Sequence, residues 1–217
     1  MLLLGLDTAT PAVTVALHDG GQPLAQLVTV DAHRHAELLA PAISKVIADA
    51  GASRDDLTGI AAGVGPGPYT GLRVGLVTAR VLGDALGIPV YGVCTLDVIA
   101  ADVECRGGFL VATDARRREL YWAEYDARGA RVAGPAVSAP ADIPDRNRPA
   151  AGEGPLRYPT YFTSGVGPTY PAAATLCRVV AGALTAGGPA ELLPPDPLYL
   201  RRPDAREPGA PKRVTQP

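Results

Sequence analysis

Lysine is almost missing from this chain: only Lys45 and Lys212 are lysines, and every other basic residue is an arginine. With abundant alanine, glycine and proline, that bias is the mark of a GC-rich genome and carries no functional signal. A marked excess of charge of either sign is missing too. The net charge is -2, which excludes a protein that coats nucleic acid by bulk charge, though not a local basic patch. Cysteine is scarce. Cys94, Cys105 and Cys177 are odd in number and widely spaced, so neither a disulfide framework nor a metal or redox motif is indicated. Reduced thiols in a cytoplasmic protein fit better. The apolar opening Met1–Leu6 is cut short by Asp7 and lacks a basic leader and a cleavage site, so it reads as a strand and not a secretory signal. No apolar run approaches the length of a membrane span.

What is there is an ordinary globular composition, 47% hydrophobic and 19% charged over 217 residues. Residues 2–6, 12–17 and 22–30 read as three strands joined by turns at Asp7–Pro11 and Asp19–Gly21. Leu38, Leu39, Ala42, Ile43, Val46 and Ile47 recur at helical spacing over 35–50, with Pro41 expected to kink that helix. A small-residue strand follows at 59–64, then a Gly/Pro loop at 65–71 and a helix over 71–86 closed by Gly87. A strand at 88–93 and a helix at 95–104 complete the first half. The second half opens in the same way. A strand at 109–113 is followed by Asp114, and Leu120, Trp122, Ala123 and Asp126 fall where Val13, Val15, Ala16 and Asp19 fall in the first half, without a gap. An internal duplication is expected. Short strands near 132–138 and 149–152 and a helix over 171–187 follow. The predicted division is an N-terminal lobe over 1–105, a C-terminal lobe over 106–202 and a disordered Pro-rich tail over 203–217.

Several segments could carry chemistry. Asp7, Thr8 and Thr10 lie in the first inter-strand turn, where they either cradle phosphate and magnesium or satisfy turn amides. A metal-dependent nuclease would need further carboxylates, and strand 59–64 has none. The stretch Gly63–Arg73 joins strand to helix but is neither a Walker A loop nor a dinucleotide fingerprint. It reads as a rigid loop in which Thr70 caps the helix and Tyr69 is exposed as an anchor. Gly75, Ala79, Gly83 and Gly87 form an i, i+4 row of small residues, which allows close approach either of the chain's own core or of a second subunit. His33 and His35 point to opposite sides of a helix and cannot share a metal ion there. Arg116–Arg118 and the group Arg201, Arg202, Arg206, Lys212 and Arg213 offer solvated turns or contacts to RNA or an acidic partner. No Ser–His–Asp set, catalytic carboxylate pair or activated cysteine can be argued from these spacings.

Leu6–Leu17, His35–Pro41, Gly63–Leu76, Leu86–Val93, the Asp114–Arg117 and Leu120–Trp122 hairpin, and Tyr199–Arg201 resemble the TsaB (YeaZ) family. The resemblance implies an α/β, actin-like ATPase fold (the ASKHA, RNase H-like class) with two lobes related by duplication. It implies a non-catalytic subunit that binds and activates a TsaD-like transferase for N6-threonylcarbamoylation of adenosine 37 in tRNA. A TsaE-like ATPase would join the complex, and the free chain would form a homodimer through the same face. ATP and metal would sit on those partners, with none assigned to this chain. A tRNA contact through the complex stays open. On this reading Asp7, Thr8 and Asp114 mark a vestigial nucleotide site. The partner face is expected at Leu38, Leu39, Ile43, Gly65, Pro66, Tyr69, Thr70, Gly71, Leu72, Arg73, Gly75, Ala79 and Gly83. A small ATP-dependent kinase of the same superfamily is the alternative; a glycoprotease-like metallopeptidase and a nuclease fit less well.

Overall fold

The computed structural model describes residues 1–186 and 191–201. The expected tail over 203–217 lies outside the described residues. Two sheets organise the chain. The first has the order β3-β2-β1-β4-β5, with β1 Leu3–Asp7, β2 Ala12–His18, β3 Pro23–Val30, β4 Gly59–Gly63 and β5 Val90–Val93. The first three strands form an antiparallel meander, and β4 and β5 add in parallel beside β1. Parallel addition needs helical crossovers. These are α1 His35–Asp49 and α2 Tyr69–Leu86.

Side-chain alternation decides what covers each face. Leu4 and Leu6 of β1 and Val13, Val15 and Leu17 of β2 pack with Leu39, Ile43 and Val46 of α1 and with Leu72, Leu76 and Ala79 of α2. Leu3 points the other way, with Ala61 and Val93, toward Leu176, Cys177 and Val180 of α5 Ala173–Ala186. Gly5 lies beneath that helix. A Cβ there would sit 2.5 Å from Cys177 Sγ and 2.6 Å from the Ala173 carbonyl oxygen.

The second sheet has the order β8-β7-β6-β9, with β6 Phe109–Asp114, β7 Leu120–Tyr125, β8 Arg131–Ser138 and the two-residue β9 Ala150–Ala151. It repeats the plan of the first: an antiparallel meander, then a parallel neighbour of its first strand. Phe109, Val111 and Tyr125 pack against Leu96 and Ile99 of α3 Thr95–Ala100, so α3 is the shared element between the sheets. Leu110, Leu120 and Trp122 are covered by Ile143 and Phe162, and the short α4 Gly154–Arg157 lies beside β6 and β9.

Most strand and helix expectations hold, with two corrections. Helix α1 runs as one element with Pro41 inside it. Its entry is set by Asp31, whose carboxylate accepts from the amides of His33 and Arg34 at 2.9 and 3.2 Å. Helix α3 ends at Ala100, short of residue 104. Helix α2 begins at Tyr69 after Pro68, without a side-chain cap, so Thr70 lies inside the first turn and caps nothing.

The glycine beneath α5 gives a direct test. Gly5→Ala must displace a backbone carbonyl, a cost of about 1–3 kcal/mol by overpacking. The urea midpoint is expected to fall accordingly, and an unchanged midpoint would show that α5 does not rest on β1.

Candidate functional site

The β1–β2 turn, the loop after β4 and the first turns of α2 meet at one point. Glycine makes the meeting sterically feasible. A Cβ at Gly67 would lie 2.2 Å from the Ala9 carbonyl oxygen, at Gly71 2.6 Å from the Thr8 carbonyl oxygen, and at Gly75 2.4 Å from Thr8 Oγ1. The glycines of this loop therefore serve backbone-to-backbone contact with the turn, not the cradling of an anion.

Hydrogen bonds lock the contact. The Thr8 hydroxyl donates to the Gly71 carbonyl at 2.7 Å and accepts from the Gly75 amide at 3.0 Å. It thus joins the turn to both members of an i, i+4 pair in α2. Asp7 is fully engaged as well: Oδ1 accepts from the Ala9 amide at 2.8 Å, and Oδ2 accepts from the Thr95 hydroxyl at 2.8 Å. Thr95 Oγ1 in turn accepts from the Gly65 amide at 3.2 Å. A Cβ at Gly63 would lie 1.9 Å from Asp7 Oδ2, so this carboxylate is seated on bare backbone. Asp7 has no exposed surface, and the Thr8 hydroxyl both donates and accepts within the fold, so the bonds of both side chains run inward. Thr95 was not among the expected site residues. It lies 88 positions from Asp7, and no local pattern marks it.

His35 is buried, with Nε2 2.8 Å from the Thr10 carbonyl, so it too supports the β1–β2 turn. His33 is exposed, and no group of three or more metal-ligating side chains occurs among the described residues.

The second hairpin repeats the first more loosely. Asp114 Oδ1 accepts from the Arg116 amide at 3.2 Å, the counterpart of Asp7 and Ala9. Its Oδ2 is buried without a hydrogen bond, yet guanidinium nitrogens of Arg116 and Arg157 stand 3.4 and 3.3 Å away. Charge holds Asp114 where directed bonds hold Asp7. Arg116, Arg117 and Arg118 all take left-handed backbone conformations in an exposed turn. A cleft of about 330 Å³ between the Gly/Pro loop at the start of α2 and the second hairpin is lined by Tyr69, Arg116, Arg117, Tyr121, Tyr199 and Arg201, among others. Arg202, Arg206, Lys212 and Arg213 lie outside the described residues.

The small-residue row turns inward. Gly75, Ala79 and Gly83 face the chain's own sheet, Gly75 against Thr8 and Leu6 and Gly83 against Val90. Leu39, Ile43, Leu72, Gly65, Pro66 and Gly71 are buried with them, and Leu38 is half-buried on the same core. None of the fully buried residues offers surface to a partner. Of the expected face, Tyr69, Thr70 and Arg73 are exposed. The outward ridge of α2 adds Val77 and Val81, which are 58% and 60% exposed and were not singled out for a partner from the sequence.

Burial lifts the Asp7 carboxyl to about 6, against the lowering effect of its bonds from Ala9 and Thr95. The folded chain therefore holds this proton more tightly than the unfolded chain. Stability falls as pH rises from about 4 to about 6, and ionised Asp7 costs up to about 3 kcal/mol above that window. Asp7→Asn keeps an acceptor for Ala9 and places an amide against Thr95. Urea unfolding of this variant should lose that part of the pH dependence and gain stability at pH 8 relative to the parent. Parallel pH profiles for the two proteins would contradict it.

Residues 28–181 match the family model described as "TsaD: tRNA N6-adenosine threonylcarbamoyltransferase". An uncharacterized protein of Mycobacterium tuberculosis (strain ATCC 25618 / H37Rv) is 47% identical over 207 residues, covering 94% of this chain and 93% of that protein. The tRNA threonylcarbamoyladenosine biosynthesis protein TsaB of Escherichia coli (strain K12) is 37% identical over 134 residues, 58% of this chain and 55% of that protein. The chain thus aligns with about half the length of that TsaB. The solved structure titled "YeaZ from Pseudomonas aeruginosa" superposes with a TM-score of 0.75 at 28% identity, over 92% of this chain and 99% of that one. With the fold and the sequence matches in agreement, the chain belongs to the TsaB (YeaZ) family.

Proposed function

We propose that this chain is the non-catalytic subunit that binds a larger TsaD-like protein and makes it competent to threonylcarbamoylate adenosine 37 of tRNA. One observation carries the reading. Asp7 and Thr8, the groups an actin-like ATPase would turn toward phosphate and metal, are spent on Thr95, Ala9, Gly71 and Gly75 of the chain itself. Both side chains are turned into the fold, Asp7 with no exposed surface and Thr8 with 2%. The small-kinase alternative loses its main support for the same reason.

The face available to a partner is the outer side of α1 and α2, which pack side by side over the first sheet. On α2 it presents Tyr69, Arg73, Val77 and Val81; on α1 it presents Ala36, Ala40, Ser44 and Ala48. Small side chains on one helix beside exposed valines on the next suit a close helix-on-helix approach. Apolar groups with arginine and tyrosine at their margin suit an interface core. The same face would pair two copies when the partner is absent. ATP and metal would be held by the TsaD-like and TsaE-like proteins, and any tRNA contact would come through the complex.

Val77→Arg and Val81→Arg change exposed positions and should leave thermal melting unchanged. Either should weaken binding of the TsaD-family protein from the same cells by about thirtyfold or more, as expected for an interface hot spot. Calorimetry with the purified pair reads this directly. Unchanged affinity for both variants would remove the proposed face, and full tRNA modification without this chain would remove the proposed role.

A further inference from the structure

Residues 191–201 follow a course that the two-sheet plan does not require. Leu193 exchanges two backbone hydrogen bonds of 2.8 Å with Gly92, covering the β5 edge of the first sheet. Further on, the Leu198 amide donates to the Val64 carbonyl at 2.8 Å, at the root of the Gly/Pro loop. Arg80 Nη1 donates to Asp196 at 3.1 Å. The Tyr199 ring stacks on Tyr69 with centroids 5.4 Å apart, and its hydroxyl accepts from Arg73 Nε at 2.9 Å. The Arg73 guanidinium also lies 4.0 Å over the Tyr69 ring. At the end of the segment Arg201 donates to the Ala115 carbonyl at 3.1 Å and pairs with Glu119, both in the β6–β7 hairpin of the second sheet.

These contacts have a common geometry. Arg73 and Arg80 flank Val77 on the exposed ridge of α2, one turn to either side. The segment therefore attaches to the margin of the ridge at Tyr69, Arg73 and Arg80, and to the second lobe at Ala115 and Glu119. Arg73, which has a long flexible stem, is held by both a ring face and a phenol oxygen. Without Tyr199 it would keep only the Tyr69 ring face and regain much of a surface arginine's rotamer freedom, which binding would have to remove.

We propose that the partner face is composite: residues 191–201 complete it with Asp196 and Tyr199, and Arg201 acts as a positioning residue that fixes Tyr199, and through it Arg73 and Tyr69, from the second lobe. This rests on the α1–α2 reading of the partner face. It gives the second lobe a part in binding, which the α1–α2 helices alone would not need. The partner it fits is the TsaD-like protein already proposed, meeting an apolar ridge bordered by pre-ordered aromatic and guanidinium groups.

A double-mutant cycle on the full chain tests it, with affinity for the purified TsaD-family protein as the readout. Tyr199→Ala and Arg201→Ala should each weaken binding about tenfold, and the double variant should be no weaker than Tyr199→Ala alone, because both remove one arrangement. Arg201→Lys, which keeps the charge, should restore part of the loss. Matched melting curves would exclude general unfolding, since Tyr199 is exposed and Arg201 half-exposed. If Val77→Arg abolishes binding while Tyr199→Ala and Arg201→Ala bind as the parent does, the α1–α2 face stands and the composite face falls. Strictly additive losses would also overturn the positioning role, because Arg201 would then act independently of Tyr199. Normal binding by Val77→Arg would remove both.

Discussion

The Thr8 hydroxyl, held between the carbonyl of Gly71 and the amide of Gly75, fixes most of what surrounds it. That one side chain ties the first hairpin to the start of α2. The bond forms only if no side chain stands between the turn and the helix, which makes glycine necessary at 67, 71 and 75. With the helix set this close, its small-residue row presses on β1 and β5, and its other ridge must face outward. The exposure of Val77 and Val81 follows from the burial of Gly75, Ala79 and Gly83 on the opposite side. The β1–β2 turn thus serves as an internal brace between the first hairpin and α2.

The second lobe repeats the plan with less of everything. Its meander matches the first strand for strand, and the aspartate at the end of β6 makes the same turn contact as Asp7. Its parallel neighbour is only two residues long, and two arginines balance its aspartate in place of a hydroxyl from α3. Helix α3 is covered by the second sheet through Leu96 and Ile99, while its first residue, Thr95, bonds to Asp7 in the first lobe. The two sheets are thus linked through the core by α3, and over the surface residues 191–201 join β5 and α2 to the β6–β7 hairpin.

Strand and helix order was legible because the first half of the chain has clean periodicity and clear punctuation. Gly87, with φ 65°, closes α2 where it was expected, and the gapless echo of Asp7 in Asp114 marked the duplication. The Gly63–Arg73 stretch stood out as special, but what it was for could not be read. Glycine that allows a partner to approach and glycine that allows the chain's own turn to approach look the same in sequence. Nothing local tells whether the row at 75, 79 and 83 faces a partner or the chain's own sheet; the hydrophobic stripe Leu72, Leu76 and Ala79 turns it inward. Thr95 and the docking of residues 191–201 depend on contacts between distant positions, such as the 126-residue separation of Arg73 and Tyr199, and no local pattern encodes those. A hydroxyl beside a helix start suggests a cap at Thr70, but the helix begins earlier, and the hydroxyl that bonds its first turns comes from Thr8.

The most direct measurement is an amide-resolved NMR titration of the isotope-labelled chain with magnesium–ATP. The amides of Ala9, Gly65 and Gly75 report on the bonds made by Asp7, Thr95 and Thr8. If the turn is closed by the chain itself, these signals stay in place at millimolar nucleotide. Saturable shifts centred on those three amides would mean that the turn opens to hold phosphate, and the brace would then be a nucleotide site after all.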